Sequence, residues 1–297
     1  MLGVVNLDKP IGPTSHDMVG MMRRLTGTRR IGHAGTLDPL ASGVLPILVG
    51  GATRFSAELT GGSKRYDAVI RLGARSATDD AEGPIEAVDG TLPDEAAVLD
   101  ALAGFVGTFD QLPPTFSARK VGGRTAHRAA RAGDPLVLPP RSVTIHALEL
   151  LGYEAADEGA DIRIDLLCGA GTYVRSLARD LGELLGCGGY LRVLRRTEAA
   201  GLSVEDAVTP ERRESLAADG RLGDAILPVG DLLPLPHVIL DRDAAHAFRN
   251  GSARPLGDRP AEDGRAAVFE GAELIGIGSV TANLLQPEKV LPREAAG

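Results

Sequence analysis

The sequence predicts an α+β fold built on a mixed sheet, and three observations carry that expectation. Strand-like and helix-like segments alternate at irregular spacing, which disfavours a regular βαβ array. Arg65 to Leu72 puts Tyr66, Ala68, Ile70 and Leu72 on one face, the period of a half-buried strand. After about residue 203 the composition shifts, and a small β-rich tail is expected from about 235 to 292.

The elements follow in order. Val4 to Asp8 reads as a strand that stops at Lys9-Pro10. Thr14 and Ser15 can cap a helix to about Leu25, with Asp17 in its first turn, where the helix dipole favours an anion. Val44 to Val49 is apolar throughout and reads as a buried strand. Residues 74 to 93 look like an acidic loop. Asp94 to Phe105 has helical spacing, with Ala97, Leu99, Leu102 and Phe105 as its apolar face and Gly107 closing it. Gln111-Leu112-Pro113-Pro114 opens a polar, basic insert that runs to Pro139-Pro140, with a short helix expected over 124–131. Strands resume over 143–151 and 161–167. Gly169-Ala170-Gly171 turns the chain into a helix from Thr172 to about Leu185, and 190–196 is again strand-like. Residues 205 to 233 are acidic and helix-prone.

The chain has 297 residues, enough for a large core and one or two domains. Its two cysteines, Cys168 and Cys187, match no zinc or redox spacing, so neither a metal site nor a disulfide framework is expected. No signal peptide precedes the first strand and no apolar run is long enough to cross a bilayer, so the cytoplasm is the expected compartment and no membrane partner is expected. The net charge of −8 argues against nucleic acid, but its distribution softens the objection. Residues 79 to 110 carry nine acidic side chains and no basic one, whereas 118 to 133 carry Arg119, Lys120, Arg124, Arg128 and Arg131 and no acid. Arg23, Arg24, Arg29 and Arg30 form a second basic cluster, and Arg192, Arg195 and Arg196 a third. Phosphate binding follows local positive surface rather than the total. Gly61-Gly62-Ser63-Lys64 lacks the spacing of a nucleotide-binding loop.

The most informative stretch is Gly32-His33-Ala34-Gly35-Thr36-Leu37-Asp38-Pro39. A loop carrying Asp and His between glycines and prolines, docked on a buried strand, suits a scaffolded active site. An Asp before a Pro is, taken alone, an ordinary turn residue. The longer pattern, through Ala41, Gly43, Val44 and Leu45, resembles the signature of the TruB family of tRNA pseudouridine synthases. Lys64-Arg65-Tyr66 resembles that family's Lys-x-Tyr element, and Gly171-Thr172-Tyr173-Val174-Arg175 its Gly-Thr-Tyr-Ile-Arg element. The segment 113–124 resembles the family's RNA-gripping thumb, although His127 stands where a tyrosine is usual. In Cys168-Gly169-Ala170-Gly171, serine is likewise common in the family in place of Gly169 or Ala170.

The resemblance implies the pseudouridine synthase fold: a mostly antiparallel central sheet with flanking helices, a thumb-like insertion at about 111–140, and a small β-rich C-terminal domain of PUA-like RNA-binding type. The expected domains are a catalytic one over 1–233 and the small one over 234–297. The implied activity is isomerisation of uridine 55 in the T arm of tRNA by a monomer, through base flipping, without metal or organic cofactor. Asp38 would be the catalytic group, acting as nucleophile or base. Tyr66 would stack on the extruded uracil, Tyr173 would wall the pocket, and Leu194 would close its floor. Arg175 would pair with Asp38, and His33 would fill the space left by unstacked bases. Arg119, Lys120, Arg124 and Arg128 would touch the RNA backbone, and Arg249-Asn250-Gly251 could do so in the tail. Asp80 matches an acidic loop element without a catalytic role. Two rivals stand beside this reading. One is a non-catalytic RNA-binding or RNA-folding protein on the same scaffold. The other is a glycosidase, which ordinarily needs two carboxylates flanking the bond.

Overall fold

The computed structural model describes residues 2–117, 120–156, 158–257 and 262–292. The elements are β1 (Gly3–Lys9), α1 (Ser15–Thr26), β2 (Ile31–His33), β3 (Ala41–Val49), α2 (Ser56–Thr60), β4 (Lys64–Leu72), β5 (Ala74–Ser76), β6 (Ile85–Ala87), α3 (Glu95–Ala103), β7 (Gly107–Gln111), β8 (Lys120–Val121), β9 (Arg124–Thr125), α4 (Ala126–Arg131), β10 (Arg141–Ala156), β11 (Gly159–Cys168), α5 (Val174–Leu184), β12 (Gly189–Ala199), β13 (Leu202–Ser203) and α6 (Pro210–Ala218). The tail adds β14 (His237–Leu240), α7 (Arg242–Arg249), β15 (Arg254–Pro255), β16 (Gly264–Glu270), β17 (Glu273–Thr281) and β18 (Leu284–Val290).

The main sheet runs β1-β3-β12-β4-β11-β10-β7, with β2 also on β3 and β13 on β12. Every pairing in it is antiparallel except β12 with β3. The α+β expectation therefore holds. On β4 the predicted alternation is visible as burial of Tyr66, Ala68, Ile70 and Leu72. That face packs under α1, α3 and α5. The opposite face of β4, β11 and β12 is tiled with ion pairs instead: Arg65–Asp165, Arg71–Asp161, Arg163–Asp67 and Arg192–Asp161.

β3 is buried along nearly its whole length because both its faces are covered. Leu45 and Ile47 join the helices, while Val44 and Leu48 join Ala52, Phe55 and Leu59. That second core continues into Val229 and Leu233 and then into Ala267, Phe269, Leu274 and Ile277 of the tail sheet, which is ordered β14-β16-β17-β18-β15. Glu58 of α2 completes the join by pairing with Lys289 and Arg265 at 2.7 Å each.

Several expectations need correction. The face of α3 turned inward holds Val98 and Leu102, while Leu99 is 49% exposed. With the helix started by the Asp94 cap, Leu99 lies about a hundred degrees round from Val98. Its end is Gly104, and Gly107 instead opens β7. The acidic segment 74–93 contains the small β5–β6 hairpin. Within 205–233 only α6 is an α-helix. The tail, expected to be β-rich, also holds a helix, α7, capped by the Asp241 side chain. Among the described residues no helix is long and apolar enough to cross a membrane.

Candidate active site

β1 runs along one edge of β3, and β12 and β2 divide the other. β12 takes Ala41 to Gly43 and β2 takes Ile47 to Val49. The loop 34–40, which carries Asp38, lifts away where those two strands part. Two side chains hold it. Ser15 Oγ accepts from Leu37 N at 2.8 Å and donates to Leu37 O at 3.0 Å. Thr14, not Ser15, is the helix cap, closed reciprocally by Asp17, which frees Ser15 for the loop.

Arg196 supports the loop from below. It is 1% exposed and donates to the carbonyls of Val44 (2.7 Å), Gly35 (3.0 Å) and Thr36 (3.5 Å). Gly43 makes this close approach possible: at φ +101°, a Cβ there would lie 2.2 Å from Arg196 O. The third basic cluster is thus not a phosphate surface. Arg196 is buried, Arg195 pairs with Asp8 at 2.8 Å, and Arg192 pairs with Asp161. Arg196→Met should cost about 3 kcal/mol in denaturant unfolding, because three carbonyls lose a charged donor. A loss under about 1 kcal/mol would contradict the supporting role.

Asp38 meets Arg175 at the start of α5. Arg175 Nε lies 2.9 Å from Asp38 Oδ2, and Nη1 lies 3.5 Å from Asp80 Oδ2. Nη1 also donates to Thr78 O at 3.2 Å and Nη2 to Phe116 O at 3.0 Å. A cation in a first turn opposes the helix dipole, and the two carboxylates offset it. Asp80 is held further by Thr78 Oγ1 and the Glu82 N–H, and its side chain is 3% exposed against 36% for Asp38. Asp38 is therefore the presented acid and Asp80 the supporting one. Burial pushes the Asp38 carboxyl above its ordinary value; Arg175 opposes this and Asp80 reinforces it.

Two adjoining cavities meet at this pair. One of about 250 Å3 is lined by Asp38, Arg175, Tyr66, Tyr173, Leu194 and Lys64, among others. The other, about 540 Å3, is lined by Asp38, Arg175, His33, His16, Phe116 and Glu82, among others. The sequence-selected residues are thus brought together, with His33 in the second cavity rather than the first. His33 is held below its usual pKa by burial, aided by Arg196 and His16, so its ring is neutral at pH 7. Burial raises the Tyr66 phenol. Lys64, which donates to Gly62 O at 2.7 Å, is pulled down to about 8 by burial.

Gln111 carries no motif signal, yet it grips the neighbouring wall. It is 1% exposed; its Nε2 donates to Tyr173 O at 3.1 Å and its Oε1 accepts from Tyr173 N at 2.9 Å. Leu112 O accepts from Ser176 Oγ (2.8 Å) and from Arg179 Nη2 (2.9 Å). The root of the insert is thereby stitched to the helix that carries Arg175. Gln111→Ala should lower turnover roughly 10- to 100-fold through misplacement of Tyr173 and Arg175, with RNA affinity nearly unchanged. A fall in affinity with turnover intact would exclude this.

Other expected RNA contacts fare differently. Arg119 and the side chain of Lys120 lie outside the described residues, as does the side chain of His127. Arg124 pairs with Asp134 at 2.8 Å, and Arg128 is exposed. Arg249 is engaged by Glu270 and Glu273 with its side chain 9% exposed, so it offers no free charge to RNA. Among the described residues no cluster of three or more His, Cys, Asp or Glu could hold a metal ion.

Models of one protein family match the chain along most of its length. The N-terminal domain model of the TruB family pseudouridylate synthases matches residues 23–174, and the C-terminal domain model of tRNA pseudouridylate synthase B matches 175–234. The chain is 42% identical over 297 residues to tRNA pseudouridine synthase B of Burkholderia mallei (strain NCTC 10247), covering 97% of this chain and 96% of that protein. It is 41% identical over 298 residues to the same-named protein of Solibacter usitatus (strain Ellin6076), covering 98% and 100%. A crystal structure of a Cbf5-Nop10-Gar1 complex superposes with TM-score 0.73 at 28% identity, over 98% of this chain and 86% of that one. An H/ACA RNP bound to a substrate RNA containing 2′-deoxyuridine does so with TM-score 0.73 at 26% identity, over 99% and 86%. Family models along most of the sequence and near-full-length relatives lead to one conclusion: the chain belongs to the TruB family of pseudouridylate synthases.

Proposed function

We propose that this tRNA pseudouridine synthase isomerises uridine 55 in the T arm of tRNA, and that Asp38 carries the chemistry. One observation supports this above the others: Asp38 is the carboxylate common to both cavities, paired at 2.9 Å with a buried guanidinium. The reaction breaks the N1–C1′ bond of uridine, turns the base, and joins C5 to C1′. The C5 proton leaves and N1 gains one, so product and substrate have equal mass. An ionised acid can attack the sugar, attack the base, or remove a sugar proton, and each route starts from a carboxylate held beside the anomeric region.

A uridine inside a folded loop reaches such a recess only by leaving its stack. The smaller cavity then takes the base, with Tyr66 as a stacking face, Tyr173 as a wall and Leu194 as a floor. The larger cavity, with a neutral His33, receives the disturbed neighbours. We assign residues 111–140 and 234–297 to gripping the RNA, and the reaction to a monomer in the cytoplasm. The glycosidase reading is disfavoured because, among the described residues, Asp38 is the one carboxylate lining the smaller cavity.

A T-arm hairpin carrying 5-tritiated uridine at the target position tests the proposal. Tritium should appear in water at one equivalent per hairpin, without free base and without a mass change beyond the isotope. Moving the label one position along the loop should abolish release. Binding without release would leave the RNA-folding rival standing and this proposal refuted.

A further inference from the structure

A base that enters the smaller cavity leaves its backbone phosphates at the rim, so the rim is where an anion must be met. Gly171, Thr172 and Tyr173 form part of that wall. Arg141, the first residue of β10, lies opposite Gln111 in the register with β7, so both side chains address the same loop. Its guanidinium lies across Gly171. An added Cβ there would stand 2.4 Å from Arg141 Cζ and 2.6 Å from Nη1, and Gly171 has φ +90°. Only glycine leaves room for a guanidinium laid on the rim in this way.

Among the arginines on the strands of the main sheet, Arg141 differs from the rest. Arg65, Arg71, Arg163, Arg192 and Arg195 are each matched to an aspartate, and Arg196 is buried on three carbonyls. Arg141 is exposed and has no carboxylate within salt-bridge distance among the described residues. A planar fork without a carboxylate partner, placed beside the entrance used by a nucleotide, is suited to bidentate contact with a phosphate.

We infer that Arg141 is a phosphate-binding residue, which holds the backbone phosphate next to the extruded uridine at the rim of the smaller cavity. The inference rests on the proposed T-arm substrate. It is tested by equilibrium binding of a T-arm hairpin to the full chain carrying Asp38→Asn, titrated with salt. Arg141→Gln should weaken binding roughly fivefold to twentyfold and make the slope of log K against log salt shallower by about 0.7 to 0.9. Arg141→Lys should keep the slope. Hairpins with a single uncharged methylphosphonate on either side of the target uridine identify the partner: one of them should reproduce the loss, with no further loss when combined with Arg141→Gln. An unchanged slope, or losses that add for both hairpins, alongside tight binding by the Arg141 chain, overturns the role of Arg141. If that chain binds the hairpin no tighter than an unrelated one, the T-arm reading falls and this inference with it.

Discussion

Asp38→Asn is expected to lower turnover by about four orders of magnitude or more, while tRNA affinity stays within roughly tenfold. The change keeps shape and removes charge, so it separates chemistry from binding. Single-turnover tritium release gives the rate, and filter binding gives the affinity. Near-native release would refute the mechanism. The pH dependence has a definite sign. Activity needs the ionised acid, and burial raises its pKa, so the acid limb of the rate profile should have its midpoint above the ordinary 3.8. Stability runs the other way. The folded state holds the Asp38 proton more tightly than the unfolded chain does. The contribution is complete below the unfolded pKa and is lost as pH rises through the folded one. Function here requires the form of Asp38 that folding disfavours.

Arg175→Met should be the most damaging change after that. It leaves Asp38 and the buried Asp80 without the guanidinium that both contact, and it removes donors to Thr78 O and Phe116 O. Breaking one partner out of a buried ionic set costs roughly 3–5 kcal/mol. The Asp38 acid limb should also move upward by about 1 to 3 pH units, as expected when an adjacent cation is lost. Arg175→Lys restores a charge but not the planar fork, and should recover stability more than rate. An acid limb that stays in place in Arg175→Met would show that Arg175 does not govern Asp38.

The core of the site was legible because its residues sit in long, ordered motifs. Residues 32–45 and 171–175 stand far apart in the chain, and the ion pair between them follows from their placement at neighbouring strand and helix ends. Tyr66 was legible from the strict alternation of β4. Arg196 was not. In a strand Arg195 and Arg196 point to opposite faces, and from the sequence either could be the inner one. The irregularity of β12 between Arg196 and Glu198, one residue longer than its partner, blurs the alternation further. Gln111 was unreadable for a different reason. Its acceptor and donor act on backbone atoms sixty-two residues away, and backbone groups leave no trace in side-chain patterns. Leu99 shows the weakness of a short helix, in which one residue of phase error exchanges core for solvent. Arg249 was misread because its partners, Glu270 and Glu273, come from a hairpin folded against it.

The core that passes from β3 through Phe55 and Leu59 into Phe269 and Ile277 has a practical consequence. Cutting the chain near residue 234 would not subtract an accessory module and leave a working remainder. It would strand a greasy seam in water, along with the Glu58 carboxylate that Lys289 and Arg265 neutralise. Contributions of the tail to tRNA affinity are therefore better read from charge reversals on its outer surface than from truncation.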